Sequence, residues 1–140
     1  NNRTGYNSPR QVGSGTDWIN STISLARDMH IIKSDGTMYG MGRNASGGIG
    51  INDRVARSSP TQIPGTTWSN VTSGGGAFSM ASKTDGTFWT WGENQNGELG
   101  HNRRFVSISS PVQVGSATNY VSVAASGGRF WTFRKPVSMV

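Results

Sequence analysis

Three Ser-Pro-x-Gln-(Val/Ile) segments place proline at positions 9, 60 and 111, two steps of 51 residues, and this period limits the possible folds more than any other feature of the chain. Self-similarity at such a period means copies of one small unit that buries its apolar faces against its neighbours. An aromatic residue follows each proline, at Trp18, Trp68 and Tyr120. Lys33 and Lys83 come next, then Asp35-Gly36 and Asp85-Gly86, then glycine-rich runs that end at Gly50 and Gly100. Between "SDGTMYGMGRNASGGIG" (34–50) and "TDGTFWTWGENQNGELG" (84–100), seven of seventeen positions are identical.

Each unit reads as four short strands. Residues 68–73 and 77–83 are rich in β-branched, aromatic and small side chains and are split by Gly74-Gly75-Gly76. Asp85-Gly86 predicts a two-residue hairpin of type I′, whose central residues both need positive φ, and 88–91 is the returning strand. Beyond the glycine-rich exit, proline suits the start of an edge strand that Gln113-Val114 continues. Helix formers are scarce, with three Lys and two Glu in 140 residues, and no helix-period segment separates the strands.

A four-stranded antiparallel unit repeated at this period predicts an all-β fold made of β-propeller blades. We expect one repeat domain over 1–140, with blade-like units at about 8–58, 59–109 and 110–135 and a tail at 136–140. Tyr39 and Trp89, and Met41 and Trp91, are expected in the layers between blades. The units number roughly 2.8, whereas a closed ring needs about 4 to 8 blades, so the ring is incomplete. Asn1-Asn2-Arg3 aligns with the residues after Gly50 and Gly100, which places the first residue in mid-repeat. The simplest expectation is the C-terminal portion of a larger propeller; a ring of several chains, or an open stack whose ends a partner covers, are the alternatives.

The order Ser-Pro-x-Gln-Val, Trp-x-x-Val, Lys-x-Asp-Gly-Thr-x-Trp-x-Trp-Gly and x-Asn-x-x-Gly-x-Leu-Gly resembles the regulator of chromosome condensation repeat family. The unit from Ser59 to Gly100 matches it almost throughout, the first departs at Gly40, Met41 and Ile49, and the third diverges after Phe130. The resemblance implies blades of a seven-bladed propeller. Its founder is a nucleotide exchange factor for a nuclear-transport GTPase and binds chromatin, which implies a nucleotide-exchange or chromatin-binding role as one functional reading.

The chemistry-bearing residues offer little to an enzyme. His30 and His101 lie in different repeat contexts without a second ligand at a familiar spacing, so no metal site and no cofactor are expected. Ser24, Asp28 and His30 form a hydrolase triad only on paper, since the repeats do not reproduce it. No Gly-Lys-Ser/Thr follows the glycine runs, which are expected as turn and close-packing glycines. Without cysteine the chain has neither a disulfide framework nor a thiol nucleophile. No apolar run approaches the ~18 residues of a membrane span.

Charge is patterned more informatively. The chain carries thirteen Lys and Arg against seven Asp and Glu, a net charge of +6. Arg3, Arg54 with Arg57, and Arg103 with Arg104 fall in the same loop of successive units, so a basic arc facing an acidic protein or nucleic acid is a candidate site. Because the strands are consumed in packing, the inter-repeat loops are the expected working surface. We therefore expect a non-enzymatic structural or protein-interaction scaffold that meets a protein partner or neighbouring copies and is unstable as an isolated monomer. The composition resembles exported or virion-surface decoration, fibre or attachment modules, which favours an extracellular or virion setting over a nuclear one.

Overall fold

The computed structural model describes residues 7–24, 26–126 and 129–136, and every regular element among them is a β-strand. Arg3 and residues 137–140 of the expected tail lie outside the described residues. Strands β1 (Trp18–Ile23), β2 (Asp28–Lys33), β3 (Met38–Gly42) and β4 (Arg57–Ile63) form one antiparallel sheet in chain order. β5 (Trp68–Ser73), β6 (Phe78–Lys83), β7 (Phe88–Gly92) and β8 (Ile108–Gln113) form a second, and β9 (Tyr120–Ser126) pairs with β10 (Arg129–Arg134) in a hairpin. These are two propeller blades and the inner half of a third, in an unclosed ring.

The sheets are phased differently from the sequence units. Units beginning at Ser8, Ser59 and Ser110 cut each sheet between its third and fourth strands, because the Ser-Pro strand closes the sheet that the preceding tryptophan opened. Pro60 and Pro111 sit inside β4 and β8 rather than at their start. Both fall where the register with β3 or β7 shifts, on the outermost strand of the sheet, where a missing N–H is tolerated.

The Asp-Gly-Thr turns also differ from the type I′ expectation. Gly36 and Gly86 have φ of +80°, but Asp35 and Asp85 are not in the positive-φ region. Gly36 N–H donates to Lys33 O at 3.0 Å and Lys33 N–H to Thr37 O at 2.9 Å, with the same pair of bonds in the second blade, so each turn is a type I turn followed by a left-handed glycine. The aspartate carboxylate accepts from the threonine N–H and hydroxyl, at 2.8 and 2.6 Å for Asp35 and at 2.9 and 2.7 Å for Asp85. Those threonine bonds hold both carboxyls below the usual carboxylate range. The glycine then reaches across to the next blade: Gly36 O accepts from Trp68 N–H and Gly86 O from Tyr120 N–H, each at 3.0 Å. A side chain at Gly86 would collide with the Thr118 carbonyl, so both the φ and the close approach select glycine.

Strand alternation gives each blade two apolar faces. Ile32, Met38 and Ile63 of the first blade pack against Trp68, Val71, Ala81 and Trp91 of the second. On its other face the second blade buries Phe78, Met80, Phe88 and Leu99 against Tyr120 and Val123 of the third. A cation recurs beside each inner-strand aromatic: the Lys33 Nζ lies 4.9 Å from the Trp18 ring, that of Lys83 lies 4.7 Å from Trp68, and the Arg134 guanidinium lies 4.3 Å from Tyr120.

Candidate functional site

The long connections from the third to the fourth strand, 43–56 and 93–107, are built on the same internal scaffold. Asn44 and Asn94 are buried at the start of each. Asn44 Oδ1 accepts from Ile49 N–H at 3.1 Å and Asn94 Oδ1 from Leu99 N–H at 3.1 Å, while their Nδ2 groups donate to Asp53 O at 3.1 Å and Arg103 O at 2.9 Å. The asparagine thus ties the glycine-rich turn to the segment bearing the arginines. Gly47 and Gly97 (φ +76° and +90°) and Gly50 and Gly100 (φ +89° and +72°) take the left-handed positions that let the chain fold back over it.

The first loop reaches β8, the strand that follows the second loop. Asn52 N–H donates to Ser109 O at 2.7 Å, and Gly47 lies against the Ser109 backbone. Arg54 and Val55 are exposed on the first loop, and Arg103, Arg104, Val106 and Phe105 on the second, Phe105 at 72%. The stem of Arg104 lies over Gly97 and its guanidinium 5.3 Å from the Phe105 ring centre. Phe105 has φ +64°, unusual for a bulky side chain, and its N–H donates to Asn94 O at 2.6 Å. A depression of about 450 Å³ lies between Gly97, Asn102, Arg103, Arg104 and Phe105.

Arg57 is placed otherwise. It is half-buried, its guanidinium donates to Asp53 Oδ2 at 2.5 Å and to Val55 O at 2.9 Å, and its charge is compensated inside its own loop. Asp53, held low chiefly by the Val55 N–H, is the partner that sequence reasoning missed. The prominence of Phe105 was missed too, although spacing carried a signal: nine residues separate Gly50 from Pro60 and ten separate Gly100 from Pro111.

The structural repeat positions have packing roles. Trp18, Trp68 and Tyr120 begin the inner strand of each blade. Trp89 stands edge-on to Trp68 at 5.9 Å and donates from Nε1 to the Thr87 hydroxyl at 2.8 Å. Trp91 is fully buried, its ring lies against Gly50, and its Nε1–H donates to Gly48 O at 2.8 Å.

Ser24, Asp28 and His30 do not form a relay. The Ser24 hydroxyl accepts from Asp28 N–H at 3.1 Å, and Asp28 Oδ1 accepts from Asn44 N–H at 2.8 Å. His30 is buried between blades, with Nε2 3.0 Å from Gly48 O and 3.3 Å from Ile49 O. Two carbonyls at one nitrogen identify Nε2 as the N–H donor, leaving Nδ1 to accept from the Ser73 hydroxyl at 3.4 Å. Burial lowers the His30 pKa to about 4 and raises that of Asp28, whose Oδ2 has no hydrogen-bond partner. His101 lies elsewhere, 3.0 Å from the Thr90 hydroxyl. Among the described residues no group of three His, Asp or Glu side chains is arranged to hold a metal ion.

Residues 85–133 match the model of the Regulator of chromosome condensation (RCC1) repeat. The chain is similar in structure to Prp20p from Saccharomyces cerevisiae, described with its binding properties to Gsp1p and histones, with TM-score 0.71 and 19% identity over 86% of this chain and 31% of that one. It is similar to human WBSCR16, with TM-score 0.73 and 21% identity over 88% of this chain and 33% of that one. A third likeness is to the structure of Kap60 bound to yeast RCC1 (Prp20), with TM-score 0.70 and 17% identity over 85% of this chain and 28% of that one. The chain thus spans about a third of the length of these structures. No curated protein is significantly similar to it in sequence. No helix among the described residues is long and apolar enough to cross a membrane.

Proposed function

Because the chain carries the RCC1 repeat and has the fold of RCC1-type propellers, we propose that it is a non-catalytic protein-interaction scaffold whose exit-loop rim takes an acidic protein segment. The observation that carries this reading is the asparagine scaffold that both loops share, with Arg54 exposed on the first and Arg103 and Arg104 on the second. Val55 and Val106 beside them favour a partner that mixes carboxylates with apolar side chains. Nucleic acid is less well served, because the Phe105 ring that could stack a base is already faced by Arg104. The cysteine-free composition, rich in glycine, serine and asparagine, favours an exported or virion-surface setting.

Replacing Arg54, Arg103 and Arg104 together by Gln is expected to weaken binding of a fluorescent Glu/Leu-rich peptide about tenfold at low salt, at roughly 0.2–1 kcal/mol per exposed charge. Rising salt should weaken the unmodified chain in the same way. Equal binding by the two chains would refute the rim, and tighter binding of a single-stranded oligonucleotide than of the peptide would reassign it. The alternative, a nucleotide-exchange or chromatin-binding role, is favoured by the likeness to Prp20p. Faster nucleotide release from a purified GTPase in the presence of this chain would establish it instead.

A further inference from the structure

The turn between β5 and β6, Gly74-Gly75-Gly76-Ala77, carries no side chain larger than a methyl group. At the place of Ala77 the first blade has Arg27. Beside this small turn lies a hollow of about 300 Å³ between the first two blades, lined on the first by Arg43, Ala45 and Ser46 and on the second by Gly76, Ala77 and Glu93. Each of these blades has all four of its strands, so both walls belong to finished sheets.

Two opposite charges border this space and do not pair with each other. The exposed Arg43 guanidinium makes no ion pair or hydrogen bond among the described residues, whose ion pairs are Lys33 with Asp17 and Arg57 with Asp53. Asp28 is its charged neighbour, but is buried and forms no ion pair with it. Glu93 is half-buried and fixed: its Oε2 accepts from Ala77 N–H at 3.2 Å. At Gly76 an added methyl group would stand 3.0 Å from that oxygen, so the glycine leaves the carboxylate room on the turn. Glu93 Oε1 has no hydrogen-bond partner among the described residues. A cation and a carboxylate thus share one hollow, each open to a group placed between them.

We propose that the hollow binds a small zwitterionic amino acid, its carboxylate on the Arg43 guanidinium and its ammonium on Glu93 Oε1 and the Ser46 hydroxyl. The planar guanidinium fork suits a carboxylate, and a carboxylate oxygen beside a hydroxyl suits an ammonium. Alanine and glycine walls accept a hydrogen or methyl side chain and leave no room for a large one. A ligand held in this way ties the first exit loop to the β5–β6 turn of the following blade.

Titration of the 140-residue chain with L-alanine, followed by amide chemical shifts, should give saturable changes centred on residues 43–46, 75–77 and 93. Acetate and methylammonium carry one charge each and should bind about tenfold more weakly, through the loss of one charge-assisted pair. L-Tryptophan should not fit. These arms use the unmodified chain and decide the matter even where a variant fails to fold. Arg43→Gln, at an exposed position, and Glu93→Gln, which keeps an acceptor for Ala77 N–H, should each weaken L-alanine by a similar factor. The absence of saturable shifts with L-alanine, or unchanged affinity in either variant, would overturn the proposal. Equal binding of acetate or methylammonium would overturn the zwitterion, and equal binding of L-tryptophan the selection for a small side chain.

Discussion

Trp91→Ala is expected to remove about 4 kcal/mol of stability, the largest effect of any single change in the chain. Its ring is buried between blades, 5.6 Å from His30 and 6.3 Å from Trp68, and its Nε1–H is one of three donors on Gly48 O. The other two are Ser79 Oγ at 3.1 Å and His30 Nε2 at 3.0 Å. Truncation therefore opens a cavity at the junction of the first blade with the rest and removes one bond from that carbonyl. Trp91→Phe keeps most of the volume and should cost only about 1–2 kcal/mol, because two donors remain. Met41, at the same register position of the first blade, is only half-buried. Met41→Ala should therefore cost about 1 kcal/mol. Urea unfolding monitored by tryptophan fluorescence and circular dichroism measures all three, and equal midpoints for Trp91→Ala and Met41→Ala would contradict the interface described above.

A second large effect belongs to pH. In the unfolded chain His30 takes up its proton near pH 6.5; folded, it does so only near pH 4. Between those values the unfolded state binds the extra proton, so the contribution is present above pH 6.5 and is lost as the pH falls toward 4, by about 3 kcal/mol at 1.4 kcal/mol per unit. Asp28 acts with the opposite sign: burial raises its pKa, so the folded state gains a proton first and the penalty of the buried carboxylate is relieved in acid. Its orphaned Oδ2 lies by Gly48, and Arg43 is the charged neighbour. Asp35, Asp53 and Asp85 have lowered values and lose their contributions only below about pH 3.8, outside the histidine window. His30→Met installs the residue that the second blade carries at this position, Met80. Stability measured from pH 7 to pH 4.5 should fall in the unmodified chain and fall less in His30→Met, where His101, also lowered by burial, still titrates with the same sign; parallel slopes would contradict the assignment to His30.

The sequence disclosed the architecture because the repeat restates it. Trp68, Asp85-Gly86, Trp91 and Gly100 each have a counterpart about 50 residues earlier, so every strand of the second blade was legible. What repetition cannot encode was misread. The phase of the sheets is invisible to a periodic pattern, since any starting point repeats equally well; only pairing shows that Pro60 closes the blade of Trp18. Asp-Gly fits several turns, and the bonds from Thr37 and Thr87 to the aspartates select the one found. The interface chemistry lies where the repeats differ: Asp28 takes the position that Phe78 has in the second blade and His30 that of Met80, so no comparison of copies foretells two polar groups buried together. Likewise Arg57 and its partner Asp53 have no like counterparts in the second blade, where Ile108 and Arg103 take their positions.

Hydrogen exchange on the unmodified chain, with and without the Glu/Leu-rich peptide, addresses the rim most directly. The exit loops leave the ends of β3 and β7, at the edge opposite the Asp-Gly-Thr turns. Slower exchange confined to residues 51–57 and 101–107, with turns 33–37 and 83–87 unchanged, is the predicted result. Protection of the turns, or none in the loops at a peptide concentration that saturates binding, would contradict the account.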